Sequence, residues 1–109
     1  MSQAVFASYD QAALDAQYNN RARVSDYQTY LEKWAAQSAE VRQKSKAARI
    51  DVAFGSTAAE KLDIFPADAP NAPACMFIHG GYWFSLDKRN FSVIAGSLVP
   101  NGVTCVVNN

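Results

Sequence analysis

The sequence predicts an α/β fold in which a helical first half is followed by a small β-sheet. Apolar residues recur at helical spacing as far as Val41, a basic, polar run follows over 44–49, and the period of the apolar pattern then changes to two. Further along, two apolar, β-branched runs flank one helical pattern, which is the order of a βαβ unit with parallel strands. We therefore treat the 109 residues as one domain in two parts, a helical segment over 1–48 and the first strands of a sheet over 49–109.

The composition is that of a globular protein without net charge. Half of the residues are hydrophobic, 18% are charged, and ten lysine and arginine residues balance ten aspartate and glutamate residues. This balance argues against partners such as nucleic acid or an anionic membrane surface. No apolar run approaches the ~20 residues that span a bilayer, and the first residues lack the regions of a secretion signal. We expect a cytoplasmic protein.

Two main helices are predicted in the first half. The first helix begins at Ser8, which is the N-cap of a capping box with Gln11. It ends at the Asn-Asn pair at residues 19–20. Ser25 begins the second, in which a stripe of mostly aromatic residues at helical spacing is expected to be buried: Tyr27, Tyr30, Leu31, Trp34, Ala35 and Val41. Such a stripe is usually core or a docking face.

Alternation then predicts an antiparallel hairpin. Its first strand covers residues 50–54 and its second covers 61–65, with Leu62 and Ile64 on one face, and a short turn containing glycine joins the two strands.

Two continuous apolar runs predict parallel strands that are covered on both faces. The first covers 74–78 and the second 103–107, and a helix over 91–98, capped by Ser85 or Asp87, connects them.

The two cysteines of the sequence, Cys75 and Cys105, lie in these runs, and we expect both to be buried and reduced. The residues present cannot cover both faces of such a sheet, which would also expose an apolar edge after Val107. A downstream segment or a second chain is therefore expected to complete it.

The loop after the first of these apolar runs is the candidate catalytic site of the sequence. It reads His79-Gly80-Gly81-Tyr82-Trp83, and two glycines in succession let the backbone turn sharply at positive φ while a ligand approaches the amides closely. Amides aimed at one point stabilise a developing oxyanion. Because ligands of open α/β sheets bind at the carboxyl ends of the strands, the position of the loop also fits a binding site.

This loop resembles that of the α/β-hydrolases, which place an H-G-G-x loop after their third strand and use its amides in the oxyanion hole. The motif His-Gly-Gly-Tyr-Trp is similar to the corresponding motif of the branch that contains arylformamidases (kynurenine formamidases) and related bacterial esterases. Residues 18–21 (Tyr-Asn-Asn-Arg) and 62–66 (Leu-Asp-Ile-Phe-Pro) resemble the same branch. The resemblance implies the N-terminal portion of an α/β-hydrolase domain, in which a helical segment and a hairpin precede the βαβ unit of a mainly parallel sheet.

The resemblance also implies roles for the residues of the loop. The backbone amides of Gly80, Gly81 and Tyr82 would donate to the oxyanion, and Tyr82 and Trp83 would line the substrate pocket. His79 is the only histidine of the sequence, but it corresponds to a residue that orients the loop and not to the catalytic base. No metal and no cofactor is expected.

The sequence departs from the family because it contains no G-x-S-x-G. In the family's chain order, the serine, the acid and the basic histidine all follow the strand on which this sequence ends. We therefore expect the chain alone to be inactive, and to supply oxyanion amides to a serine hydrolase once a downstream segment or a second polypeptide brings the triad. The substrate would be a carboxylic ester or an aryl formamide such as N-formylkynurenine. The alternative is a non-catalytic, truncated interaction module whose docking face is the helix with Trp34.

Overall fold

The computed structural model describes residues 3–82 and 85–109, which fall into two compact units divided between Tyr30 and Leu31. The α-helices of the first half are α1 (Gln11–Tyr18), α2 (Asn20–Arg23) and α3 (Tyr27–Lys44). Within the described ranges, no helix is both long enough and apolar enough to cross a membrane.

Helix α1 is capped by Asp10, and the prediction of Ser8 as the cap is wrong. The backbone of Asp10 is extended, and its carboxylate accepts a hydrogen bond of 2.9 Å from the amide of Ala13. Ser8 lies instead in a tight turn, in which the amide of Tyr9 donates to the carbonyl of Phe6 at 2.9 Å. The predicted end of the helix agrees with the structure, where Asn19 is the C-cap.

Helix α3 buries a serine more completely than any residue of the predicted apolar stripe. Ser38 is 0% exposed, whereas Tyr30 and Trp34 remain 50% and 40% exposed. The hydroxyl of Ser38 accepts a hydrogen bond of 2.9 Å from the amide of Val93. A small polar side chain is needed here because it lets the backbone of residues 92–94 approach the helix and gives one of its amides an acceptor.

Within the part of the chain that the structure describes, the sheet contains four strands in the order β1-β2-β4-β3. They are β1 (Arg49–Ala53), β2 (Lys61–Phe65), β3 (Ala74–Ile78) and β4 (Thr104–Asn108). As predicted, β1 and β2 form an antiparallel pair and β3 and β4 a parallel pair. The sheet is nevertheless mixed and not mainly parallel, because β2 runs antiparallel to β4 beside it.

The core lies on one face of the sheet. Its fully buried apolar residues are Phe65, Cys105 and Val107 from the strands and Ala95 from the connection between β3 and β4. That connection begins at Asp87, which is one of the two residues predicted as its cap. The prediction of a single helix over 91–98 is wrong. Short 3-10 turns surround a single α-helical turn, α4 (Ala95–Leu98), because the backbone of Phe91 leaves the helical region at φ −121° and ψ 2°.

Strand β3 is largely exposed, so the prediction of a strand covered on both faces is wrong for it. Met76 and Ile78 are 56% and 71% exposed, and Cys75 is exposed as well. The strand is at the edge of the sheet, and the core packs against one face only. The expectation of an uncovered apolar face therefore agrees with the described residues. The expected edge at Val107 is wrong, because β4 lies between β2 and β3 and Val107 is buried, so that the exposed edge is β3. The expectation that both cysteines are buried holds for Cys105 alone.

The two thiols should consequently differ in reactivity. Burial raises the pKa of the Cys105 thiol to about 11, with a smaller contribution from Cys75. Because the thiolate is the nucleophile, we expect iodoacetamide near neutral pH to alkylate Cys75 quickly and Cys105 only after unfolding. Intact mass at timed points, with Cys75→Ser as the control, measures both rates. Equal rates in the folded chain would contradict the placement of the two residues.

Candidate functional site

A cavity of about 800 Å³ opens at the carboxyl ends of β3 and β4. This volume lies within the usual range of small-molecule sites, ~300–1,000 Å³. The described residues that line it come from the turn before β2, from the ends of β3 and β4, and from the segment after β3: Ala59, Ile78, His79, Gly80, Tyr82, Ser85, Leu86, Asp87, Asn108 and Asn109. The predicted loop is thus placed at a cavity.

The loop residues do not all face this cavity. His79, Gly80 and Tyr82 line it, whereas Gly81 is not among the described residues that do. Tyr82 lines the cavity and is nevertheless 80% exposed. Trp83, the other residue predicted to line the pocket, lies outside the described residues.

The backbone of the loop has positive φ at three positions and is strained at two of them, Tyr82 and Leu86. Gly81, Tyr82 and Leu86 have φ values of +127°, +53° and +70°, a region that non-glycine residues adopt at a cost. The prediction of positive φ is right for Gly81 and wrong for Gly80, whose φ is not positive. Strain of this kind in a loop beside a cavity is typical of functional sites.

Only one of the two glycines is required by its surroundings. A Cβ on Gly81 would overlap the carbonyl oxygen of Ser85 and lie 2.7 Å from its carbonyl carbon, whereas a Cβ on Gly80 would meet nothing within 4 Å. The amide of Ser85 also donates to the carbonyl of Gly81 at 3.1 Å, which closes the turn.

Two amides in this turn remain available as donors. The N–H groups of Gly80 and Gly81 donate to no acceptor within residues 3–82 and 85–109. Unpaired amide donors in a loop at a cavity are what the binding of an anion or an oxyanion requires.

His79 is held inside the loop by two contacts. Its Nδ1 lies 2.7 Å from the carbonyl oxygen of Gly80, so Nδ1 carries the proton and donates it. Its ring stacks on Phe91, with centroids 5.6 Å apart and planes 8° apart. Phe91 in turn contacts Phe77 of β3 and Trp34 of α3, with ring centroids at 5.4 and 6.3 Å. These contacts fit a histidine that orients the loop.

A buried ion pair next to the cavity was missed by the sequence analysis. Lys88 Nζ lies 2.7 Å from Asp63 Oδ1 and 2.6 Å from Asp51 Oδ1. Asp63 is 0% exposed and Lys88 5% exposed. A signal for Asp63 was present, because strand alternation places it on the same face as Phe65 and hence towards the core. Lys88 offered no comparable signal, since its partners are 25 and 37 residues away in sequence.

Charge interactions shift the pKa values of this cluster. Burial acts to lower the pKa of Lys88, but the hydrogen bonds and charges of Asp51 and Asp63 outweigh it, so the pKa is raised above its ordinary value. The hydrogen bond from Lys88 holds the pKa of Asp51 below its ordinary value. Lys88 is therefore fully charged at neutral pH, although it is almost completely buried.

No family model matches the chain. Over 59 residues, or 52% of this chain, it is 36% identical to a kynurenine formamidase of Danio rerio and 34% identical to one of Salmo salar. Those residues span 20% of the length of each relative. A crystal structure of a protein assigned as a thioesterase, from a Silicibacter species, superposes with a TM-score of 0.81 at 28% identity. That likeness covers 88% of this chain and 37% of the other.

The fold is α/β-hydrolase-like. The chain has weak sequence similarity to formamidases and a close structural likeness to the thioesterase, so its relatives in sequence and structure are named as hydrolases. The chain spans about a fifth of the length of the curated relatives that it matches.

Proposed function

We propose that this chain supplies the oxyanion loop of a serine hydrolase that cleaves carboxylic esters or aryl formamides through an acyl-enzyme. The observation that carries the proposal is the turn at Gly80 and Gly81, which lies at the carboxyl ends of two parallel strands. Gly80 borders a cavity of about 800 Å³, and the amides of both glycines donate to no acceptor among the described residues. The similarity to kynurenine formamidases supports an aryl formamide, and the likeness to a thioesterase supports acyl transfer more broadly.

In this proposal, the amides of Gly80, Gly81 and Tyr82 stabilise the oxyanion that forms when a serine attacks the substrate carbonyl. Removing one such donor from a serine hydrolase costs about 2.7–4 kcal/mol of transition-state stabilisation. Tyr82 and Trp83 contact the acyl or aryl group of the substrate. His79 donates its Nδ1 proton within the loop, which supports an orienting role and not that of the base.

The serine, the acid and the basic histidine of the proposed enzyme come from residues outside this sequence, either downstream of it or on a second polypeptide. The sequence contains no G-x-S-x-G, and its single histidine is engaged by Gly80 and Phe91. Without a base, no serine of the chain would be activated, so the chain alone is expected to be inactive.

The test is to purify the protein from the cells that produce it and to compare it with the 109-residue chain produced alone. We expect the native preparation to contain a fluorophosphonate-reactive serine, either on a longer product or on a second polypeptide beside the 11.9 kDa species. It should hydrolyse N-formylkynurenine or a p-nitrophenyl ester. The chain produced alone should take up no label and show no turnover above buffer.

Native material that consists of the 11.9 kDa chain alone, takes up no label and hydrolyses neither substrate would contradict the proposal. The same result would support the non-catalytic module instead. Turnover by the isolated chain would also contradict it, because a base would then exist within these residues.

A further inference from the structure

We infer that the buried pair Asp63–Lys88 is a positioning element that holds two walls of the cavity in register. One wall is the segment 85–87, which follows the glycine turn, and the other is the end of β4 at Asn108 and Asn109. The inference rests on the proposed function only in taking this cavity as the active site.

The side chain of Lys88 fixes the first wall to the sheet. Lys88 directly follows Asp87, the last residue of that wall, and its ammonium group is bound 2.7 Å from Asp63 on the core face of β2. The same carboxylate oxygen of Asp63 accepts a hydrogen bond of 2.9 Å from the amide of Asp51, which anchors it in turn to β1. A strained segment is thereby attached at its end to two strands.

The backbone of Lys88 fixes the second wall. Its amide donates to the side-chain oxygen of Asn109 at 3.1 Å, and the amide of Asn109 donates to the carbonyl of Lys61 on β2 at 3.2 Å. Lys88 therefore contacts one wall as its neighbour in sequence and the other through a hydrogen bond. A displacement of this one residue would move both.

Stability alone does not account for a charge pair at this position. Replacing a buried ion pair by apolar residues is often neutral or stabilising, because both charges lose their hydration when they are buried. Asp63 is not even fully satisfied, since its Oδ2 has no hydrogen-bond partner among the described residues. An ion pair differs from apolar packing because it fixes the distance and the direction between its two side chains. A strained loop beside a binding site requires an attachment of this kind.

The experiment separates positioning from stability by removing both charges together. In the 109-residue chain, Asp63→Val combined with Lys88→Met is expected to leave the unfolding midpoint close to that of the wild type. The NMR signals of the loop should nevertheless move: the ring of His79, which is the only histidine, and the amides of Gly80, Gly81 and Asn109. Signals of α3 should stay in place.

Arg42→Gln provides the matched control. Arg42 anchors the same connection further along, through hydrogen bonds of 2.7 Å to the carbonyl of Arg89 and 2.9 Å to the hydroxyl of Ser92. We expect this variant to lower the unfolding midpoint without moving the amide signals of Gly80, Gly81 or Asn109. The ring of His79 is not a readout for it, because that ring stacks on Phe91, which lies between Arg89 and Ser92.

Loop signals that stay in place in a folded double variant would overturn the inference. If the double variant does not fold, Lys88→Arg decides the matter, because it keeps the charge and alters the donor geometry. Displaced loop signals would then support the inference, and unchanged ones would overturn it. These measurements do not depend on catalysis, so they test the inference even if the proposed activity is wrong.

In an enzyme that contains the chain, the double variant should lower kcat on the order of 100-fold and change KM less.

Discussion

Replacing Lys88 by methionine is expected to lower the free energy of unfolding by about 3–5 kcal/mol, the range found when one partner of a buried ion pair is removed. The substitution leaves the carboxylate of Asp63 at 0% exposure without its counter-charge. Urea unfolding followed by circular dichroism measures the loss. For a domain of this size, it is a large share of the total stability, which is ~5–15 kcal/mol in most proteins.

Arg89→Met is the matched control, because it removes a cation one residue further along. The ion pair of Arg89 with Asp87 lies at the surface, where the Arg89 side chain is 72% exposed. Pairs of this kind contribute about 0–1 kcal/mol. A loss at Lys88 no larger than the loss at Arg89 would show that the pair with Asp63 is not buried in solution.

The stabilisation by Lys88 should also depend on pH with a definite sign. Its pKa is raised on folding, so its contribution is complete below the unfolded value of ~10.4 and is lost as the pH rises through the higher folded value. The pKa of Asp51 is lowered on folding, so its contribution is present above ~3.9 and is lost as the pH falls through the folded value. The difference in stability between wild type and Lys88→Met should therefore be constant near neutral pH and should decrease at strongly alkaline pH.

Gly81→Ala is the second substitution with a large expected effect, and Gly80→Ala is its matched control. At φ +127°, an alanine at 81 is strained by about 1–3 kcal/mol, and its Cβ would overlap the carbonyl of Ser85. At 80 the Cβ would meet nothing within 4 Å, so we expect almost no change there. Urea unfolding and the NMR signals of the loop measure both variants in the isolated chain.

In an enzyme that contains this chain, Gly81→Ala should lower turnover about 10²–10³-fold, as the loss of an oxyanion donor does. Substrate binding should weaken with it, because the clash is with Ser85, which lines the cavity, and forces the wall to move. Two neighbouring glycines that respond alike would contradict this account of the turn.

Local patterns predicted the parts of the fold that depend on local physics. Strand alternation identified the hairpin of β1 and β2, and the two apolar runs around a helical pattern identified the parallel pair of β3 and β4. The position of the glycine loop followed in the same way, since a loop after a strand is placed by the strand. The fine geometry of that loop did not, because strain at Tyr82 and Leu86 depends on what the neighbouring segments impose.

The sequence by itself determined where the strands and the helices α1 and α3 lie, which strands form the hairpin and the parallel pair, and that His79-Gly80-Gly81 forms a loop at the end of a strand. Only the tertiary structure decided that Cys75 is exposed, that Ser38 is buried and that Lys88 reaches Asp63. The physical reason is the same for each. Burial and charge pairing depend on which segments meet across the fold, and Asp63 and Lys88 are 25 residues apart. Periodicity reports on the nearest residues along the chain, whereas the cost of a buried charge is offset by a partner that only folding brings near.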